Sequence, residues 1–166
     1  MNAIVYTSNT GFTAQYAGLL GEKLNLPAYS LDTAKRELAA GAEIIYLGWL
    51  MDGQVKGYKQ AAKLYKIAAV CGVGMGAGSS QIKEVRKGNT IPKNVPLFTL
   101  QGGFELNKLH GIYKFMMNTM KRTVGKKLAA KPDKTADEQD MLDLLLHGGS
   151  RVSEENLRPV LEWYGK

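Results

Sequence analysis

Short, mostly uninterrupted apolar runs alternate with amphipathic stretches along this chain. Five runs stand out: Ala3-Ile4-Val5-Tyr6, Ala28-Tyr29-Ser30-Leu31, Ile44-Ile45-Tyr46-Leu47, Ile67-Ala68-Ala69-Val70-Cys71 and Leu97-Phe98-Thr99-Leu100. Continuous rather than alternating apolar character marks strands buried on both faces, and helices between such strands imply crossover units rather than hairpins. The second run is the weakest and reads as an edge strand.

The intervening stretches predict helices. Tyr16, Leu19, Leu20 and Leu24 have helical spacing and are followed by Asn25 and Pro27, giving a helix over 12–24. Asp32 is placed to cap a short helix through Ala39, which Gly41 stops. Residues 57–65 and 79–87 supply two more, the latter with Ser79 or Ser80 as cap and Gly88 as stop. Leu109, Ile112, Tyr113, Met116, Met120, Val124 and Leu128 form one apolar stripe on a long helix from Lys108 to about Ala130, a stripe expected to face the core. Lys131-Pro132-Asp133-Lys134 breaks it. Thr135 with Glu138 is a capping-box start for a helix ending at His147-Gly148-Gly149, and a last helix runs from Ser153 to Trp163. The pattern predicts a three-layer α/β domain, a doubly wound five-stranded parallel sheet with extra C-terminal helices. Its core is 1–130 and its helical extension 131–166.

Composition narrows this further. With 166 residues, 45% of them hydrophobic, the chain builds one well-covered core. No run approaches the roughly 18–20 apolar residues of a membrane span, and the N-terminus lacks a basic-then-apolar signal pattern, so a cytoplasmic protein is expected. The lone Cys71 excludes an internal disulfide framework and has no metal-ligand partners, so it is expected as a small buried residue. The net charge of +7 is uneven: residues 1–134 hold 19 Lys/Arg against 8 Asp/Glu, and residues 135–166 hold 3 against 7. A basic face attracts nucleic acid, an anionic membrane surface or an acidic redox partner. No nucleic-acid module accompanies it, so no nucleic-acid partner is expected. His110 and His147 fall on different helices without a Ser, Cys or paired carboxylate at a telling spacing, and read as surface or capping residues. No catalytic side chain is assigned.

The chemistry lies in loops. The first strand empties into Thr7-Ser8-Asn9-Thr10-Gly11-Phe12-Thr13, where hydroxyl donors cluster and Gly11 permits a tight turn just before a helix. Unpaired N–H groups and the partial positive charge of a helix N-terminus favour an anion there. The lysine of a nucleoside-triphosphate loop is missing, so neutral donors suit a single terminal phosphate monoester.

In pattern and position, Val5 to Thr13 resembles the flavodoxin phosphate loop, a Ser/Thr-x-Thr-Gly-x-Thr element after the first strand. Phe12 stands where flavodoxins usually have Asn. The resemblance extends over roughly residues 1–130 and implies strand order 2-1-3-4-5, with FMN at the switch point between strands one and three. It also implies that the loops after strands three and four flank the flavin. The first is Gly48-Trp49-Leu50-Met51-Asp52-Gly53, in which Trp49, Leu50 and Met51 would cover a flat ring; the Asp52-Gly53 peptide takes the place of the one that reorients toward the flavin in flavodoxins. The second is Gly72-Val73-Gly74-Met75-Gly76-Ala77-Gly78-Ser79, whose glycines allow close backbone approach. Gln101 to Glu105 is a further rim. Gly72-x-Gly74-x-x-Ala77 also satisfies the dinucleotide pattern. It follows the fourth strand rather than opening the fold, however, and Glu105 lies beyond the spacing of about 20 residues needed for a ribose contact.

Gly103-Phe104 and the segment Leu109 to Lys121 resemble the last strand and basic, Met-rich helix of flavodoxin-fold, menaquinone-dependent protoporphyrinogen oxidases. Those enzymes carry a sizeable insertion after strand four, whereas about 20 residues separate Gly76 from Leu97 here. Two functions therefore stand side by side: an electron carrier, and an FMN-dependent oxidoreductase of that type. The implied partners are a redox protein or a quinone, with peripheral membrane contact through the basic Met-rich helix.

Overall fold

All five apolar runs become parallel strands in the computed structural model, which describes residues 1–76 and 81–166. They are β1 (Ala3–Thr7), β2 (Ala28–Ser30), β3 (Glu43–Met51), β5 (Lys66–Gly74) and β6 (Leu97–Gln101), with a two-residue β4 (Gln54–Val55) pairing antiparallel to the end of β3. The order is β2-β1-β3-β5-β6. With β4 set aside, this is the 2-1-3-4-5 order of the flavodoxin type of doubly wound sheet. The short β2 is the edge, as its weak apolar character predicts.

Alternation of side chains across the central strands feeds two cores. Ala3, Val5, Ile44, Tyr46 and Val70 point to one face, where α2 (Leu31–Glu37), α3 (Tyr58–Leu64) and α4 (Ile82–Asn89) cover them with Leu31, Ala34, Tyr58, Ala61 and Val85. Ile4, Ile45, Leu47, Ala69, Cys71 and Val73 point to the other, under α1 (Phe12–Leu24) and α7 (Arg158–Tyr164), which contribute Tyr16, Ala17, Leu20 and Val160. Cys71 is buried inside β5, and burial pushes its thiol up to about 12, leaving it an inert packing residue.

Local signals place most helices to within a few residues, and the departures have physical reasons. Ser30, not Asp32, caps α2: its Oγ accepts the Thr33 N–H at 3.2 Å, while Asp32 pairs with Lys35 at 2.8 Å. Gly88 lies inside α4, which ends in a left-handed Thr90; the expected caps Ser79 and Ser80 fall outside the described residues. The Thr135–Glu138 capping box forms as predicted at the start of α6 (Ala136–His147). The last predicted helix is divided, a 3-10 turn at Glu155–Leu157 leading into α7.

The long helix α5 (Gly111–Ala130) departs most from expectation. Its only buried residue is Gly125, while Ile112, Phe115 and Met116 are 69%, 71% and 44% exposed. Of the seven stripe residues expected to face the core, Ile112, Tyr113 and Met116 are exposed instead. The reason is placement: α5 packs on α6 at the C-terminal end of the sheet, with no sheet face beneath it, and its inner line passes through Met117, Met120, Val124 and Leu128. Among the described residues no helix is long and apolar enough to cross a membrane.

One polar cluster ties the C-terminal segment to the sheet. The buried Tyr16 hydroxyl donates to Gln101 O at 2.5 Å and accepts from Asn156 Nδ2 at 2.7 Å, and the same amide donates to Arg151 O at 2.9 Å. Burial raises the Tyr16 pKa, partly offset by the Asn156 bond. Tyr16→Phe leaves Gln101 O and the amide short of a partner, and should lower unfolding free energy by about 1–3 kcal/mol in urea titrations. An unchanged midpoint would show that the cluster contributes nothing to stability.

Candidate functional site

The strand ends converge where β1 and β3 part company, and the Ser8–Gly11 connection crosses that point. Gly11 is in the left-handed region (φ 99°), which its lack of Cβ permits, and precedes α1 without a side-chain cap. The first turn holds no acidic residue, and the first α-helical bond is Gln15 N–H to Gly11 O at 3.0 Å. The Phe12, Thr13 and Ala14 N–H groups thus form the unpaired positive end of a 13-residue helix. Ser8 Oγ accepts the Gly11 N–H at 3.2 Å, closing the turn and keeping its own proton available.

The predicted loop residues divide into three roles. Asn9, Thr10, Phe12 and Thr13 line one cavity, Asn9 exposed at its mouth and Thr13 buried in its wall. Thr7 is committed elsewhere: the Tyr46 hydroxyl donates to Lys56 O at 2.7 Å, so the Thr7 hydroxyl is the donor in its 2.7 Å bond to Tyr46. Burial holds the Tyr46 phenol protonated, with its pKa pushed up to about 12. The Phe12 ring packs into the core against Gly102 and Gly103, so its polar contribution is its N–H alone.

Two cavities share Leu50, Gly74, Met75 and Met117 as walls. The first, about 80 Å³, runs from the Thr10–Thr13 turn past Trp49 and Val73 to Gly102–Glu105, closed by Leu109 and Met117. The second, about 500 Å³, is lined by Met51, Met75, Met116, Met117, Met120 and Met141, six of the chain's seven methionines, together with Asp52, Gly53, Gly76 and Val124. Trp49, Leu50, Gly74 and Met75, singled out in the sequence, share the cavity beside the Thr10–Thr13 turn. Sequence did not foresee that Met51, Asp52, Gly53 and Gly76 line the neighbouring space. Ala77 and Gly78 lie outside the described residues.

The residues after strand three are not a loop. β3 continues through Trp49, Leu50 and Met51, then reverses through Asp52 (φ 49°) and Gly53 (φ 68°) into β4. Positive φ at both positions is the hairpin signature of an Asp-Gly pair. Asn89 anchors this hairpin by accepting the Val55 N–H at 2.8 Å and donating to Gly53 O at 2.8 Å. Gly72 and Gly74 likewise belong to β5, not to a turn. A Cβ on Gly72 would sit 2.9 Å from Leu50 Cδ2, and one on Gly74 3.2 Å from Leu50 Cδ1. These glycines make room for Leu50, which removes the close-approach role of the dinucleotide pattern at Gly72 and Gly74.

Trp49 meets Tyr113 of α5 edge-to-face, with ring centroids 5.3 Å apart, and Lys56 Nζ stands 5.7 Å over the indole. A chain of polar contacts supports the opposite wall. Gln101 Nε2 donates to Met75 O at 3.1 Å and to Asp140 Oδ2 at 2.6 Å; Arg151 then bridges Asp140 and Asp143 at 2.8 Å each. This chain joins α6 to the ends of β5 and β6. Sequence reading singled out neither Asp140 nor Arg151, because their meeting depends on a reversal at Gly148–Gly149, where β8 (Gly149–Ser150) pairs with β7 (Gly103–Phe104). Only the i, i+3 spacing of Asp140 and Asp143 hinted at a shared cation.

Among the described residues no group of three His, Cys, Asp or Glu side chains is arranged to hold a metal. His147 sits in the last turn of α6 against Asp143 at 3.0 Å, and the exposed His110 precedes α5, so neither reaches the cavities. No protein-family model, curated protein or solved structure matches the chain.

Arg151 holds the Asp143 carboxyl below its ordinary pKa, with His147 adding to the effect. A carboxyl whose folded pKa is depressed contributes stability above its unfolded pKa and loses it as pH falls through the folded value. Thermal melts should show the wild type losing stability below about pH 4, with a shallower slope in Arg151→Met. Parallel profiles would remove Arg151 as the cause.

Proposed function

We propose that this chain is an FMN-binding redox protein of the flavodoxin type, working in electron transfer. The observation carrying this reading is the uncapped, acid-free N-terminus of α1. It stands at the switch point of a 2-1-3-4-5 sheet, beside a cavity walled by Thr10, Thr13, Trp49 and Met75. Ligands of open α/β sheets occupy that crevice.

The donors present fit the phosphate end of the group. The first-turn N–H groups of α1, with the hydroxyls of Ser8, Thr10 and Thr13, offer a phosphate monoester neutral donors, with no carboxylate in that turn. Trp49 and Met75 offer apolar surface for a flat ring, while Leu109 and Met117 keep water from it. Bound FMN would supply one- and two-electron chemistry at its ring. The protein's part is to hold the phosphate, fix the ring between the strand ends, and set the polarity there: Gln101 clamps the Met75 carbonyl, and Lys56 places a positive charge near Trp49.

A second reading, an FMN-dependent oxidoreductase of the quinone-dependent protoporphyrinogen oxidase type, is favoured by one feature. The Met-lined cavity of about 500 Å³ adjoins the phosphate-turn cavity and suits an apolar co-substrate.

Purified protein should take up FMN with flavin absorbance, and a chain that stays colourless with added FMN would sink both readings. Thr10→Ala combined with Thr13→Ala removes two donors to a charged acceptor, each worth a factor of about ten or more. FMN affinity should fall about 100-fold or more while riboflavin, lacking the phosphate, changes little; equal losses would contradict the assigned phosphate turn. Carrier and enzyme separate in parallel assays of reduction by a flavodoxin reductase and of protoporphyrinogen oxidation with a quinone acceptor. Activity in the first alone supports the carrier, and turnover in the second supports the oxidoreductase.

A further inference from the structure

The outward face of α5 is a surface feature that the candidate cofactor site does not use. Ile112, Phe115 and Met116 are exposed there, and Arg122, Lys126 and Lys127 follow on the same side. At about 100° per residue, Ile112, Phe115, Arg122 and Lys126 fall within a sector of roughly 80°, with Met116 and Lys127 on its flank. Along its 20 residues α5 contains no Asp or Glu. Its inner face is already occupied: Met117, Met120 and Val124 line the larger cavity, and Lys121 Nζ donates to Leu146 O at 3.4 Å. The exposed apolar side chains are therefore not awaiting the core.

Two large, exposed apolar groups beside an acid-free row of cations need an occupant that is oily just beneath a negative surface. We propose that this face docks α5 on an anionic lipid surface, with Ile112 and Phe115 entering the interface, Met116 at its margin where it also lines the larger cavity, and Arg122, Lys126 and Lys127 set against the headgroups. Charge complementarity selects this occupant over a second copy. In a two-fold dimer the face would meet itself and, since α5 holds no Asp or Glu, would offer Arg122, Lys126 and Lys127 no carboxylate. The docked helix would put only its own diameter, about 10 Å, between the lipid and the Met-lined cavity.

The test uses the full chain and sedimentation with sucrose-loaded vesicles, either phosphatidylcholine alone or with about one-third phosphatidylserine, at roughly 0.1 M salt. The protein should pellet with the anionic vesicles and stay in solution with the neutral ones. Each cation near such a surface raises partitioning about fivefold, so Arg122→Gln, Lys126→Gln and Lys127→Gln together should weaken it about 100-fold. Ile112→Ser with Phe115→Ser, at unchanged charge, should weaken it at least about tenfold.

No pelleting with anionic vesicles overturns the proposal. So does loss on charge removal with none on removing the apolar pair, which is the behaviour of any basic surface. A concentration-dependent dimer in sedimentation velocity that Phe115→Ser abolishes, without vesicle binding, assigns the face to a second copy instead. Circular dichroism confirms that each variant folds. FMN uptake is measured separately, so colourless protein that still pellets would end the cofactor reading and leave this one standing.

Discussion

Burial of β3 and β5 on both faces is the constraint on which the rest of the molecule depends. A strand with apolar side chains above and below needs helices on both sides, and parallel neighbours can be joined only by crossovers that supply them. Parallel pairing then brings the carboxyl ends of β1, β3, β5 and β6 out at one edge, with the strand order switching between β1 and β3. The Ser8–Gly11 turn, the Trp49 wall and the Gly102–Glu105 rim meet because all follow or end strands of that one sheet. Tyr46 shows how closely core and site are joined: its ring belongs to the core, and its hydroxyl takes Thr7 out of the set of available donors.

Glycine positions distinguish packing from ligand approach. A Cβ on Gly72 would collide with Leu50, one on Gly102 with Val73, and one on Gly103 with Gly149 O and Phe12, while one on Gly74 would crowd Leu50. Gly11 differs, because a Cβ there would meet nothing within 4 Å and the residue is required by its left-handed backbone. Glycines in sequence thus meet two unlike requirements, and only the fold separates them. Leu50, admitted by two glycines, lines both the smaller cavity beside the Thr10–Thr13 turn and the Met-lined one.

The helices α5 and α6 act from outside the sheet, whereas α7 returns to cover one of its faces. Paired with each other, α5 and α6 cap the strand ends, and Gln101, Asp140 and Arg151 fasten them to β5 and β6. The uneven charge has a structural counterpart. Acidic residues of α6 are held by Arg151 and Lys131, whereas the cations on the outward face of α5 face solvent. Neutralising one pole within the fold leaves the other as a field directed outward.

Sequence alone determined the five parallel strands, the edge position of β2, the limits of α1, the capping box of α6 and a hydroxyl-rich glycine turn between β1 and α1. These follow from local physics: apolar runs, breaker residues, and donors clustered before a helix. Tertiary structure decided what local pattern cannot carry. Whether Trp49–Met51 continue a strand depends on β4 returning to pair with them, and whether Thr7 is a free donor depends on Tyr46, 39 residues away. Which side of α5 is buried depends on the absence of a sheet beneath it, since apolar periodicity marks a helix face but not what lies opposite. The partners of Asp140 and Arg151 were likewise settled by the Gly148–Gly149 reversal, because a charge's role is set by what the folded chain brings within a few ångströms of it.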